Sequence, residues 1–337
     1  MPIIEVADLK KSYGSVSALD GLEMKVPKGS LFGLLGPNGA GKTTFIRIIC
    51  TLLSPDSGKV VVNGVNALSN PKFVRSNVGY VAQEVALDKI LTGRELLTLQ
   101  SDLYHLTSSK RMERIDFLID RLEMSEWIDR RCGTYSGGMR RRIDLSAGLL
   151  HQPDLLILDE PTVGLDFESR KIIWKLLSEL KGEGKTILLS SHYLEEVEAL
   201  SDQIAIIDKG RVIANGTIDQ LKKELGGESI TLKVKEFSNE NEALKVKNII
   251  STVKGVSDIV VNSYQGYSLN FLVDNENVLE DISLELKKAD KSVYAISKRK
   301  PSLDDIYLHA TGRTLMDAEM DVLSTRDIKL ERKKAMK

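Results

Sequence analysis

The run Gly36-Pro37-Asn38-Gly39-Ala40-Gly41-Lys42-Thr43 has the residue types and spacing needed to grip a phosphate chain. It fits G-x-x-x-x-G-K-[ST]. Its glycines let the backbone curl so that successive N–H groups point at phosphate oxygens. A helix opening at the end of the run adds its positive end. Lys42 supplies a full charge for the β- and γ-phosphates, and the Thr43 hydroxyl suits Mg²⁺. Thr44 continues the run into the helix and completes the candidate nucleotide-binding set. The motif requires a strand before it and a helix after it. Apolar Leu31–Leu35 precedes it, and Ile46, Ile49, Leu52 and Leu53 follow at helical spacing.

A second candidate lies downstream, where Leu155-Leu156-Ile157-Leu158 ends in Asp159-Glu160. A buried parallel strand delivers both carboxylates at its carboxyl end, where α/β proteins hold ligands. Asp159 then suits Mg²⁺, and Glu160 suits the attacking water as base or water-positioner. Either feature alone is ordinary, since Gly-rich turns and apolar strands ending in acids are common. Together they describe two halves of one phosphate site.

The elements that must position these residues follow from hydrophobic pattern. Strands are expected at 30–35, 60–62, 78–81, 155–158, 186–190 and 203–207. Several are continuous apolar runs, as in strands covered on both faces. Strands interleaved with helices read as an α/β sheet across residues 1–225. Residues 84–150 interrupt that alternation with charge and helical spacing (Leu96, Leu99, Leu103; Ile115, Leu118, Ile119, Leu122) and read as a helical insertion. Gly226-Gly227 marks a linker. Beyond it the order β-α-β-β-α-β over 228–313 suggests a small α+β, ferredoxin-like domain. Residues 314–337 read as a charged tail, with six basic residues after Thr325. Two readings stay open for it: a solvated tail, or a basic segment near an anionic membrane surface.

Composition closes other classes. Lys and Arg total 47 against 48 Asp and Glu, a net charge of −1, which leaves no global footprint for nucleic acid. No run approaches the ~18 apolar residues of a membrane span. The start lacks the charged and apolar regions of a secretory leader. Two cysteines, Cys50 and Cys132, cannot build a metal cluster alone and suit a reducing compartment.

With these pieces in order, the chain resembles the ATP-binding cassette family over residues 3–225. Tyr135-Ser136-Gly137-Gly138-Met139 resembles the family signature, with Ser136 23 residues before Asp159. Gln83 stands in the place of the Q-loop, Gly164-Leu165-Asp166 resembles the D-loop, and His192 the switch histidine. Tyr13 resembles the aromatic that stacks on adenine. Each of these residues alone would mean little, and their common order carries the match. Tyr135 and Met139 depart from the commonest Leu-Ser-Gly-Gly-Gln, and Met139 removes a polar side chain. A finer similarity, to ATP-binding subunits of daunorubicin-resistance-type drug exporters, rests on Tyr135–Arg142, Gln83–Asp88, Lys300–Tyr307 and Thr311-Gly312-Arg313.

The resemblance implies a P-loop NTPase cassette that hydrolyses ATP with Mg²⁺. Glu160, His192 and Gln83 would be catalytic, and Thr43, Gln83 and Asp159 would face the metal. Tyr13 and residues Gly36 to Thr44 would hold nucleotide. Ser136, Gly137 and Gly138 would act on the nucleotide of a second copy, with Asp166 coupling the two sites. It also implies a separate transmembrane permease, a paired ATPase (both site halves permit a homodimer), and a peripheral place on the cytoplasmic face of the membrane. Export of drugs or other hydrophobic compounds is the expected work. The alternative is a soluble cassette ATPase acting on nucleic acid or ribosomes. Its marks would be two cassettes, long coiled-coil insertions, zinc cysteines or a basic surface; the first three are absent from the sequence, and the balanced charge gives no support for the fourth.

Overall fold

The computed structural model describes residues 1–235, 239–274, 278–291 and 293–322. They fall into two compact units that divide between Val212 and Ile213.

The first unit begins with β1 (Pro2–Tyr13) and β2 (Val16–Pro27), a long antiparallel hairpin. Then come β3 (Leu31–Leu35), α1 (Lys42–Ile49), β4 (Ser57–Val62), β5 (Val65–Asn66), α2 (Pro71–Asn77) and β6 (Val78–Val81). The helical insertion follows as α3 (Gly93–Leu103), α4 (Ser108–Arg121) and α5 (Gly137–Leu149). The alternation resumes with β7 (Leu155–Asp159), α6 (Phe167–Gly182), β8 (Thr186–Ser191), α7 (Leu194–Leu200), β9 (Gln203–Asp208) and β10 (Arg211–Gly216).

Two sheets result. One has the order β10-β9-β3-β8-β7-β6, with β9, β3, β8, β7 and β6 parallel. Every residue of β3, β7 and β8 is buried, as expected for strands covered on both faces. The other sheet, β2-β1-β4-β5, is antiparallel. Residues 60–62, expected in the α/β sheet, belong to this second one. Between the sheets lies a core containing Ile4, Leu22, Phe32, Phe45 and Ile157. On the opposite face Leu97, Leu118, Ile143, Leu158 and Leu177 join the helical insertion to the parallel sheet.

The β1–β2 hairpin is absent from the sequence reading, and its irregularity explains why. Pairing shifts register between Val6 and Leu9, and Asp8 sits at a φ of 45°. Such a bulge breaks the two-residue alternation by which a strand is recognised.

The second unit holds α8 (Ile218–Leu225), β11 (Glu228–Lys233), α9 (Glu240–Ile250), β12 (Val256–Asn262), β13 (Ser268–Val273), α10 (Val278–Lys288), β14 (Ala295–Arg299) and α11 (Leu303–Thr311). Its sheet order β12-β13-β11-β14, antiparallel throughout, is ferredoxin-like. Helices α9 and α10 cover one face through Val246, Ile250, Ile282 and Leu286 against Ile230, Leu232 and Phe271. On the strands, Ser229 Oγ donates to Asp305 Oδ1 at 2.8 Å and Asn262 Nδ2 to Asp317 Oδ2 at 3.0 Å. The unit boundary, between Val212 and Ile213, falls inside β10, whereas the sequence suggested 225. Residues 315–322, expected as the start of the charged tail, are helical and bury Leu315 and Ala318, an apolar spacing too short to stand out among charges. The tail from 325 onward lies outside the described residues.

Candidate active site

Four neighbouring parallel strands, in the order β3, β8, β7, β6, end at one edge of the sheet. Their carboxyl ends deliver the Gly36–Thr43 loop, Ser190 to His192, Asp159-Glu160 and Ala82-Gln83. Register makes these ends level: Leu35 pairs with Ser191, and Asp159 with Ser190. Lys42 and Glu160, 118 positions apart, are thereby brought together.

The loop is braced from behind. Gly41, with a φ of 109°, caps α1, and a Cβ there would lie 2.5 Å from the Ala18 carbonyl of β2. Only glycine fits that conformation and that space. The Gly210 N–H donates to Ala40 O at 2.9 Å, and the Asp20 N–H donates to Gly210 O at 3.0 Å. Asn38 and Gly39 are exposed at the apex, Pro37 and Ala40 are buried, and Thr43 and Thr44 are half-buried in the first turn of α1.

Lys42 and Glu160 are each only 4% exposed. Lys42 Nζ donates to Gly36 O at 2.7 Å and Pro37 O at 3.2 Å, and lies 3.1 Å from Glu160 Oε1. Gln83 Nε2 donates to Glu160 Oε2 at 3.0 Å, and His192 Nδ1 stands 3.3 Å from Glu160 Oε1. Burial alone pushes the Glu160 carboxyl up, but His192 and Lys42 together outweigh it and hold it below the usual Glu range. Its backbone has a φ of 50°, a strained conformation for a non-glycine residue of the kind that collects at functional sites.

Asp159 is fully buried. Ser190 Oγ donates to its Oδ1 at 2.7 Å, while its Oδ2 has no partner. Burial raises its carboxyl above the usual range, with Ser190 and the nearby Thr43 hydroxyl opposing. An orphaned buried carboxylate oxygen beside a threonine hydroxyl is the hard-oxygen donor set that suits Mg²⁺.

The signature residues form a second cluster. Ser136 caps α5: its Oγ accepts from the Met139 N–H at 3.2 Å, and the Met139 thioether accepts from the Ser136 N–H at 3.5 Å. Met139 thus keeps the cap closed despite lacking a polar side chain. A Cβ on Gly138 would fall 2.1 Å from Ser169 Oγ, so α5 and α6 pack closely there. Gly137 has open space where a Cβ would go. Asp166 caps α6 by accepting from the Ser169 N–H at 2.8 Å, which holds its carboxyl below the usual range. Tyr13, half exposed, ends β1 opposite Val16, two residues before the Ala18 that touches Gly41.

Three contributors escaped the sequence reading as individual residues. Ser190 bridges Asp159 and the Glu160 N–H. Arg141, on the signature helix, donates to Ala82 O and Gln83 O, each at 2.6 Å. Glu196, four residues after His192, is buried. The three consecutive arginines after Met139 were a visible signal for the second; nothing marked the other two.

Residues 19–163 match the family profile described as ABC transporter, and 216–311 that of the ATP-binding protein DrrA1-3-like, C-terminal domain. The chain is 38% identical over 309 residues to the daunorubicin resistance ATP-binding protein DrrA3 of Streptomyces coeruleorubidus, spanning 92% of this chain and 96% of that one. It is 36% identical over 315 residues to the linearmycin resistance ATP-binding protein LnrL of Bacillus subtilis, spanning 94% and 100%. A solved ATP binding subunit of an ABC transporter aligns with a TM-score of 0.61 and 31% identity over 66% of this chain and 92% of that one. The dimeric post-hydrolysis structure of the cassette MJ0796, bound to ADP and Pi, aligns at 0.59 with 23% identity over 64% and 98%.

Proposed function

This chain belongs to the ATP-binding cassette family of transporters, and from that premise we propose that the Lys42, Glu160, Gln83 and His192 cluster is its hydrolytic centre. The chain is the ATP-hydrolysing subunit of an exporter. The observation that carries the site assignment is the convergence of a phosphate loop, two acids, a glutamine and a histidine at the ends of four adjacent strands.

The chemistry is in-line attack of water on the γ-phosphorus, with the bridging oxygen leaving on ADP. Lys42 holds the phosphate charge. Glu160 orients the water and accepts its proton, Gln83 and His192 fix that carboxylate, and Tyr13 stacks on the base. Thr43, Asp159 and Gln83 would hold Mg²⁺, which when bound neutralises developing phosphate charge. Since Lys42 is paired with Glu160, an arriving γ-phosphate competes for the ammonium and frees the carboxylate.

Ser136, Gly137, Gly138 and Asp166 act on a second copy's nucleotide. Gly137 supports this, because neither its backbone nor its surroundings in this chain require glycine. MJ0796, of the same fold, was solved as a dimer.

No helix among the described residues is long and apolar enough to cross a membrane. A separate permease supplies the path, and this subunit works at the cytoplasmic membrane face. A hollow of about 210 Å³ is lined by Leu52, Arg75, Tyr104 and Tyr80, which stands three residues before Gln83 in the chain, and Leu52 is exposed. It suits a short helix from such a permease. Drug-resistance relatives favour a hydrophobic cargo, and the near-neutral charge gives the nucleic-acid reading no support. Phosphate release from MgATP by the purified chain, slowed severely by Glu160→Gln, tests the site. Detergent extraction that never recovers a membrane protein with the full chain would count against the transporter role.

A further inference from the structure

Behind the site, Glu196 on α7 is 1% exposed. Its Oε1 accepts from Thr162 Oγ1 at 2.7 Å and from Trp174 Nε1 at 3.1 Å, and its Oε2 is buried without a partner. A carboxylate so placed costs stability unless its bonds serve a purpose, and an apolar side chain would fill the space more cheaply.

Its partners come from the two elements that carry other site residues. Thr162 lies two residues after Glu160, in a tight turn in which the Val163 N–H donates to Glu160 O and the Leu165 N–H to Thr162 O. That turn leads directly to Asp166. Trp174 lies on α6, the helix that Asp166 caps. Glu196 itself is four residues after His192. The same helix α6 also reaches the start of α7, where the Arg170 guanidinium lies 5.3 Å from the Tyr193 ring centroid and the Tyr193 ring lies 4.2 Å from that of His192.

We propose that Glu196 is a positioning residue that locks α7 to the Glu160–Asp166 turn through Thr162 and Trp174, keeping His192 in register with Glu160 and coupling it to Asp166. The proposal rests on the assignment of hydrolysis to the Glu160 cluster. It has two consequences. Loss of the lock lowers turnover without weakening nucleotide binding, because Glu196 touches neither the phosphate loop nor Tyr13. The Trp174 indole, bonded to the lock, changes fluorescence when nucleotide moves His192.

The test uses the full chain, MgATP turnover, binding of a fluorescent ATP analogue, and tryptophan emission. The chain has two tryptophans, and Trp174→Phe identifies the signal that belongs to Trp174. Glu196→Ala should lower kcat by roughly 10- to 100-fold, leave analogue affinity unchanged, and abolish the Trp174 response. Glu196→Gln keeps an acceptor oxygen of the same reach and should restore kcat and the response. Thr162→Val removes only one donor at nearly constant volume and should show the Ala pattern in weaker form even where Glu196→Ala fails to fold. Wild-type kcat and emission in Thr162→Val would overturn the proposal. So would a parallel loss of affinity and turnover in both Glu196→Ala and Thr162→Val, which would mark a merely structural residue. Failure of the underlying reading looks different: wild type and Glu160→Gln would then hydrolyse ATP alike.

Discussion

Lys42 Nζ and Glu160 Oε1 lie 3.1 Å apart in a site where both side chains are almost wholly buried. The buried ammonium and carboxylate therefore neutralise each other. Glu160→Gln removes the base but keeps the shape. ATP should still bind, since Lys42 retains Gly36 O and Pro37 O as partners. Phosphate release should fall by about 10²- to 10⁴-fold. Steady-state release and equilibrium nucleotide binding on the same preparation separate the two effects; wild-type turnover would remove Glu160 from its role.

Lys42→Ala acts on both members of that pair. The phosphate loses its charged partner, so ATP affinity should drop at least about tenfold, the worth of one charge-assisted contact. Glu160 meanwhile keeps its burial and loses a cation, so its carboxyl should move up from its depressed position. Calorimetric titration with MgATP checks the first effect and pH-dependent carboxylate infrared absorption the second. Unchanged affinity would contradict the cradle.

The signature helix carries a titrating group of its own. Burial pushes the Asp144 carboxyl up to about 6, with Arg141 opposing. The unfolded chain releases this proton near pH 4 and the native chain only near 6. Between these limits the native state binds more protons, so stability falls as pH rises through the window, by on the order of 2–3 kcal/mol. Asp144→Asn cannot titrate and should lose that slope. Urea unfolding of wild type and variant from pH 4 to 7 reads the difference, and parallel curves would refute it. Any constant offset from the lost Arg141 contact at 3.3 Å does not affect the slope.

Much of this site was legible because its residues are tied to strand ends. The continuous apolar runs of β3, β7 and β8 set where Lys42, Glu160 and His192 come together, and burial on both faces leaves such runs conspicuous. The bonds that join them were not legible. Ser190, as the end of an apolar strand, carries no mark of its bond to Asp159, and Glu196 reads as one acid among several on α7. The β1–β2 hairpin was hidden by its bulge at Asp8. The ferredoxin-like order of the second unit was recoverable because β11, α9 and α10 keep clean two- and 3.6-residue periods.

The two signature glycines should separate stability from pairing. At Gly138 a methyl would meet Ser169 Oγ at 2.1 Å and Ser169 Cβ at 2.8 Å, so α5 and α6 must part. Gly138→Ala should cost about 1–3 kcal/mol of stability, and Ser169→Gly should relieve most of it. At Gly137 a methyl meets nothing in this chain, so Gly137→Ala should leave stability within about 0.5 kcal/mol. If Gly137 faces the nucleotide of a second copy, the same methyl should block ATP-driven pairing. Sedimentation with ATP in the Glu160→Gln background, where slow hydrolysis preserves the pair, reads this directly. Chemical denaturation of the same samples supplies the control. A Gly137→Ala chain that pairs as well as its parent would place the signature away from the shared nucleotide.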